Sequence, residues 1–280
     1  MSFTSFSIAA HTKVNLALKI LGRRNDGYHE LDTIFQELEW GDHLHFEPAE
    51  EFGFRTIGLE FDHGDENICL SAYRLYSKAI GKQLAVEITL EKHVPPGTGL
   101  GGGSADAAAV LKGLNRIAPI PLADLALHEL ATRLGADVPF FLRGGLQRGR
   151  GIGEELEPLE EHLGGVYLLV LPPLHVATKQ AFSALKYRLT APGSPITFRR
   201  PLQWADMVRF FENDFESVVF HMHPEIGSIK EVLLEEGAHF ASLSGSGSTV
   251  YGIFETREAA LAAQTVFLNR YHTQITTPLS

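Results

Sequence analysis

The chain has 280 residues, 44% hydrophobic and 21% charged, with a formal net charge of −10 and a single cysteine, Cys69. The acidic balance argues against general nucleic-acid binding, which depends on basic surface, and one cysteine excludes an internal disulfide and fits a reducing compartment, with the cytoplasm as default. The longest apolar runs are short, such as VYLLVL (166–171), and MSFTSFSIAAHTK lacks a basic region followed by a long apolar stretch, so neither a membrane span nor a signal peptide is expected.

Taken in chain order, residues 6–10 and 14–21 read as strand, and the turn-like GRRNDG (22–27) separates them from 28–40. Short strands are expected at 43–46 and 59–61. Residues 67–80 read as a helix, with Ile68, Tyr73, Leu75 and Tyr76 among its apolar positions. Residues 85–91 (AVEITLE) alternate, with Val86, Ile88 and Leu90 on one face and Glu87, Thr89 and Glu91 on the other. Such alternation belongs to a half-exposed, usually antiparallel sheet. A glycine-rich loop follows, running into a small-residue helix from Ser104, and a second helical pattern covers 122–134.

Around 143–153 (RGGLQRGRGIG) glycine and arginine concentrate, marking a crossing point between a domain at 1–153 and another at 154–280. The second part opens on a buried strand at 166–171. It continues through a Pro/Gly-containing surface loop at 190–201 and a second small-residue loop, SLSGSGSTVYGIF (242–254), that runs into a strand. A helix at 257–269 comes last. Strands clustered first and helices later suggest α+β layering. There is no internal repeat.

The segment PPGTGLGGGSADAAAVL (95–111) is the most informative. Five glycines fall in the seven positions 97–103, directly before a helix. Glycine lets backbone approach an anion closely, and the free N–H groups and dipole at a helix start favour negative charge. This is the layout of a phosphate cradle. It is not the nucleotide P-loop, because Lys is missing after the last glycine. Gly97, Gly99 and Gly102 do match G-x-G-x-x-G. A dinucleotide fold, however, needs a buried parallel strand before the loop and a strand after the helix, and neither is in the pattern. A His-based metal centre is disfavoured too. His43/His45 and His221/His223 lack further clustered ligands, and the two HExx starts at His29 and His128 end on Thr33 and Thr132.

Three motifs stand in order: Thr12-Lys13-Val14-Asn15-Leu16, the glycine loop, and Leu243-Ser244-Gly245-Ser246-Gly247. This set resembles the GHMP kinase superfamily. Two more segments, Arg24-Asn25-Asp26-Gly27-Tyr28-His29-Glu30-Leu31 and Leu134-Gly135-Ala136-Asp137-Val138-Pro139-Phe140, narrow the resemblance to its 4-diphosphocytidyl-2-C-methyl-D-erythritol kinase family. The likeness covers nearly the whole chain and is densest up to Gly153.

The resemblance implies an α+β, two-domain fold, with a ribosomal-protein-S5-like N-terminal domain, a mixed α/β C-terminal domain and an active site in the cleft between them. It implies transfer of the ATP γ-phosphoryl group to the 2-hydroxyl of a cytidine diphosphate-linked methylerythritol. Asp137 is then the general base or the group that orients the hydroxyl, with Lys13 holding it ionised and stabilising the transferring charge. On the residues alone, Asp137 before Val138-Pro139 also suits a helix N-cap.

Asn15, Tyr28, His29 and Phe182 are implied as acceptor-binding residues, the cytosine lying between Tyr28 and Phe182 with His29 at the base edge. Pro95, Gly97, Gly99, Gly101, Gly102, Gly103 and Ser104 are implied to hold the ATP phosphates, and Asn67 and Lys92 to line the adenine pocket. Asp106 is expected to point away from the triphosphate. No protein metal site is implied: Mg²⁺ is held mainly through the nucleotide. The expected partner is the small-molecule substrate, with neither nucleic acid nor membrane, and the chain a monomer or homodimer.

Three departures from the family pattern stand out. His11-Thr12 replaces Pro-Ala before Lys13, Ala105 replaces a second loop serine, and Ser246 stands where threonine is frequent. Two other readings compete. One is a GHMP kinase with a mevalonate-type or homoserine-type acceptor, which would give Tyr28-His29 no base to meet. The other is an RNA-binding module sharing the N-terminal layout, against which the acidic balance speaks.

Overall fold

The computed structural model describes residues 3–59, 67–161, 163–185, 193–198 and 204–279. Two long strands, β1 (Phe6–Arg23) and β2 (His29–Pro48), pair with each other and precede β3 (Gly53–Gly58), α1 (Ile68–Ile80), β4 (Val86–Lys92), α2 (Gly102–Ile117) and α3 (Asp124–Leu134). A four-residue α4 (Phe140–Arg143), β5 (Leu146–Gly151) and β6 (Glu155–Pro158) follow. The remainder runs β7 (Val166–Leu171), α5 (Thr178–Leu185), α6 (Trp204–Phe210), α7 (Glu216–Met222), α8 (Pro224–Glu235), β8 (Phe240–Leu243), β9 (Val250–Phe254), α9 (Arg257–Phe267) and β10 (His272–Thr276).

Two compact units interleave in sequence. One comprises Met1–Thr12, Gly41–Pro96 and Gly101–Arg143; the other Lys13–Trp40, Gly97–Leu100 and Gly144–Ser280. β1 and β2 therefore contribute to both, and the glycine loop is divided between them. The two strands expected at 6–10 and 14–21 are one continuous strand.

In the first unit β4 lies between β2 and β3, antiparallel to β2 and parallel to β3. The expected alternation along 85–91 is only partly kept. Thr89 is buried and accepts a hydrogen bond from the Arg55 guanidinium on β3, at 2.8 Å, instead of facing water. β3 carries no strong apolar run and escaped the sequence reading. Leu59 of the strand expected at 59–61 lies in a bend, and the rest of that segment is outside the described residues.

Helices α1, α2 and α3 pack on one another. The run of Ala105, Ala107, Ala108 and Ala109 is buried, and small residues are needed there because α2 lies close to β2: a Cβ on Gly113 would come within 2.1 Å of the Phe46 ring. α2 begins at Gly102, two residues before the expected Ser104. Low glycine helix propensity argues for a loop, but a Cβ on Gly102 would lie 3.1 Å from Val94 and 3.3 Å from Lys92 Nζ, so tertiary packing sets the start.

In the second unit residues 31–36 of β2 pair with β5, and β5 with β6. A separate four-stranded antiparallel sheet has the order β10-β7-β9-β8. Leu168 and Val170 of β7 join one core with Val219 of α7, Ile226 and Leu233 of α8 and Ala260 and Phe267 of α9, so these helices cover one sheet face. Buried tyrosines Tyr167 and Tyr251 stack at 6.0 Å on neighbouring strands. Residues 193–198 of the loop expected at 190–201 have no regular structure, and its remaining residues lie outside the described ones. Among the described residues no helix is long and apolar enough to cross a membrane.

Candidate active site

Lys13 and Asn15 both point inward from β1, an exception to the rule that lysine stays in water. Lys13 is 3% exposed. Its Nζ donates to Asn15 Oδ1 at 2.7 Å and lies 5.5 Å from the centre of the Phe35 ring. Asn15 Nδ2 in turn donates to Thr33 Oγ1 at 2.8 Å, and the Thr33 hydroxyl donates to the Ala17 carbonyl at 2.7 Å. The Tyr251 hydroxyl donates to the Asn15 carbonyl at 2.9 Å. This chain of bonds fixes the amide orientation and holds the ammonium in one place. Thr33 and Tyr251 have no short-range spacing to Asn15 that a sequence reading can detect.

The first half of the glycine loop, Gly97–Leu100, is stapled to the second small-residue loop, between β8 and β9. Ser244, fully buried, donates its hydroxyl to the Gly99 carbonyl at 2.9 Å, and the Thr249 N–H donates to the Thr98 carbonyl at 3.1 Å. Gly99 has φ of 82°, and a Cβ there would sit 2.1 Å from the Ser244 carbonyl oxygen, so no other residue fits. Asn213 supports the same loop by donating to the carbonyls of Leu243 and Gly245, both at 2.8 Å.

The β1–β2 turn presents Tyr28. Asp26 accepts the Tyr28 N–H at 3.0 Å, while Arg24 bridges Asp26 and Glu30, each at 3.1 Å. Tyr28 is 60% exposed. His29 stacks on Phe182, with centroids 4.5 Å apart and planes 13° from parallel, and Phe182 meets Phe215 edge-on at 4.9 Å. His29 and Phe182 are thus brought together, and it is the His29 ring rather than that of Tyr28 that faces Phe182.

In the first unit Gly101, with φ of 72°, precedes α2, and its carbonyl accepts the Ala105 N–H at 2.9 Å. Gly103 is exposed and Ser104 half-buried in the first turn. Lys92, at the end of β4, is 2% exposed. Its Nζ pairs with Asp42 Oδ2 and donates to Asp106 Oδ2 at 2.7 Å. Asp42 Oδ1 also accepts the N–H groups of His93 and Val94, at 2.6 and 2.8 Å.

Burial works against the Lys92 charge, but the two carboxylates hold the ammonium above its ordinary pKa. Burial pushes Asp106 up to about 7 against the pull of Lys92, and the Asp42 charge adds to the rise. Asp106 therefore faces Lys92. Asp42 is fifty residues from Lys92 and carried no sequence signal.

Asn67 caps α1, its Oδ1 accepting the Cys69 N–H at 2.9 Å. Asp137, half-buried, lies in the turn between α3 and α4. Since α4 starts only at Phe140, Asp137 does not occupy the residue before the helix. Pro95 is half-buried at the entry to the glycine loop. Among the described residues no group of three or more His, Cys, Asp and Glu is arranged to hold a metal ion.

The glycine loop leading into an alanine-rich helix and the buried Lys–Asn pair on β1 stand as the resemblance to the GHMP kinases implies. Residues 67–145 match the GHMP kinases N terminal domain and residues 197–273 the GHMP kinases C terminal domain. The 4-diphosphocytidyl-2-C-methyl-D-erythritol kinase of Chloroherpeton thalassium is 40% identical over 277 residues, covering 97% of each chain. That of Chlorobium luteolum is 42% identical over 279 residues, covering 98% of this chain and 97% of its own. A crystal structure of 4-(cytidine 5'-diphospho)-2C-methyl-D-erythritol kinase superposes with a TM-score of 0.85 at 34% identity, covering 98% of this chain and 100% of that one. The chain belongs to the 4-diphosphocytidyl-2-C-methyl-D-erythritol kinase family.

Proposed function

We propose that this chain transfers the γ-phosphoryl group of ATP to the tertiary 2-hydroxyl of 4-diphosphocytidyl-2-C-methyl-D-erythritol, a step in the non-mevalonate route to isoprenoid precursors. The observation that carries this reading is the near full-length identity, 40% over 97% of each chain, with a relative that bears this activity in its name. The mevalonate-type or homoserine-type alternative is not favoured by it. The assay is ATP consumption with the cytidylylated methylerythritol, mevalonate and homoserine in parallel. Turnover is expected with the first alone, and comparable turnover with either of the others overturns the assignment.

In the proposed reaction the acceptor oxygen forms a bond to the γ-phosphorus as the bond from that phosphorus to ADP breaks. Asp137 orients the hydroxyl and takes its proton, while Lys13 stabilises negative charge on the acceptor oxygen and the transferring group. Asn15, already anchored through Thr33, contacts the acceptor near Lys13.

We assign Pro95, Gly97, Gly99, Gly101, Gly102, Gly103 and Ser104 to the phosphates, and Asn67 and Lys92 to the remaining ATP-binding set. We propose a functional division into an ATP-binding part at 1–153, which also carries Asn15, Tyr28 and His29 for the acceptor, and a substrate-binding part at 154–280. The acid nearest the helix start, Asp106, is engaged by Lys92, which fits Mg²⁺ carried on the nucleotide, where it neutralises phosphate charge. The single cysteine fits a cytoplasmic enzyme, and a monomer or homodimer satisfies the small-molecule reaction.

For the cytosine we assign Tyr28 and Phe182 to the base faces and His29 to its edge, although in this structure it is the His29 ring that lies against Phe182. Tyr28→Ala is expected to raise KM for the acceptor about 5- to 150-fold, since base–aromatic stacking contributes about 1–3 kcal/mol. KM for ATP should stay unchanged. Equal rises in both constants remove Tyr28 from the cytosine site.

A further inference from the structure

Lys92, assigned above to the ATP-binding set without a stated contact, sits in a buried charged cluster with Asp42 and Asp106. Three separate elements meet in it: Asp42 from β2, Lys92 from the end of β4, and Asp106 from α2. All three side chains are at most 3% exposed. Asp42 additionally gathers the N–H groups of His93 and Val94, the residues leading into the glycine loop. On the far side of that loop Asp106 pulls on the first turns of α2, and Gly102 leaves Lys92 Nζ close beneath the helix start. One ammonium therefore ties together the strand that enters the loop and the helix that leaves it.

Burying three charged groups is costly, and an apolar cluster of similar shape would often be as stable. What a cluster of this kind supplies is geometry: charged, short-range bonds fix the N–H groups at a helix start better than apolar contacts do.

We propose that the Lys92–Asp42–Asp106 clamp positions the start of α2 for the triphosphate, the Lys92 side chain acting on the nucleotide through the loop and not by touching the adenine. This rests on the reading that the phosphates lie at Gly101–Ser104. Lys92, Asp42 and Asp106 are on this view positioning residues.

The test uses a ligand with phosphates and no base: inorganic tripolyphosphate, as a competitor of ATP in the kinase assay and as a ligand in calorimetry. Lys92→Gln, which keeps a donor and removes the charge, is expected to raise KM for ATP and Ki for tripolyphosphate by the same factor, about tenfold. KM for the acceptor should stay within about twofold. Asp106→Asn, which keeps an oxygen toward Lys92, should give a smaller rise of about threefold, and Asp106→Ala the full one.

A rise in KM for ATP with unchanged tripolyphosphate affinity would place Lys92 on the base and overturn the clamp. Parallel rises in ATP and acceptor constants with a lowered melting temperature would reduce it to a stability feature and overturn it as well. Asp106→Asn retains the side-chain shape, so the comparison holds even where Lys92→Gln folds poorly. A parent protein without tripolyphosphate binding refutes the phosphate-loop reading beneath it. A parent that binds tripolyphosphate but does not turn over the cytidylylated acceptor refutes the substrate assignment instead.

Discussion

Replacing Asp137 by Asn is expected to lower kcat about 10²–10⁴-fold while KM for ATP moves by about twofold or less. The substitution is nearly isosteric, and it leaves the turn bonds from Val138 N–H to the Gly135 carbonyl and from Phe141 N–H to the Val138 carbonyl available. Local structure should therefore survive. What is lost is the capacity to accept a proton from, or strongly orient, an alcohol that is a poor nucleophile while protonated. Tertiary alcohols are crowded as well, so orientation of the oxygen lone pair carries much of the rate. Steady-state kinetics with both substrates varied, plus calorimetric ATP binding, checks the outcome. Near-normal turnover in the variant removes Asp137 from the chemistry.

Lys13→Met is expected to reduce kcat about 10²–10³-fold, the typical loss when one preorganised electrostatic contact to a developing charge is removed. Its effect on stability should be small by comparison. The Lys13 side chain is buried over the Phe35 ring, where a thioether of similar length packs well, but the buried Asn15 Oδ1 loses its donor. The melting temperature is expected to fall by a few degrees at most as turnover collapses. Lys13→Arg should not restore activity, since the planar guanidinium cannot take the place of a compact ammonium on Asn15 Oδ1. A fall in melting temperature accompanied by only a severalfold loss of kcat would make Lys13 a packing residue.

The parts of the chain that sequence reading resolved are those encoded over a few residues. The helix expected at 67–80, the strand at 166–171 and the helix at 257–269 match α1, β7 and α9 to within two residues, and they and the glycine loop follow from spacing and turn chemistry. Position 102 departs from the expected loop because its helical state depends on Val94 and Lys92, which no local propensity contains.

Within the site, motifs mark Lys13, Asn15, Tyr28, His29 and Asp137. They do not mark the supports. Thr33 holds Asn15, and Asp42 holds Lys92 from fifty positions away, by contacts between residues that only tertiary folding brings together. The His29–Phe182 stack shows the same limit: both residues were named, yet a motif carries no information on which ring faces which.

The Ser244–Gly99 and Thr249–Thr98 bonds bear on how this loop can be transplanted. A peptide or a foreign scaffold carrying residues 95–111 alone would lack the hydroxyl and the N–H that dictate the path of Thr98 and Gly99. The segment most recognisable as a portable module is therefore half of a composite. Its other half is encoded 145 residues downstream, and a successful chimera would have to carry both pieces.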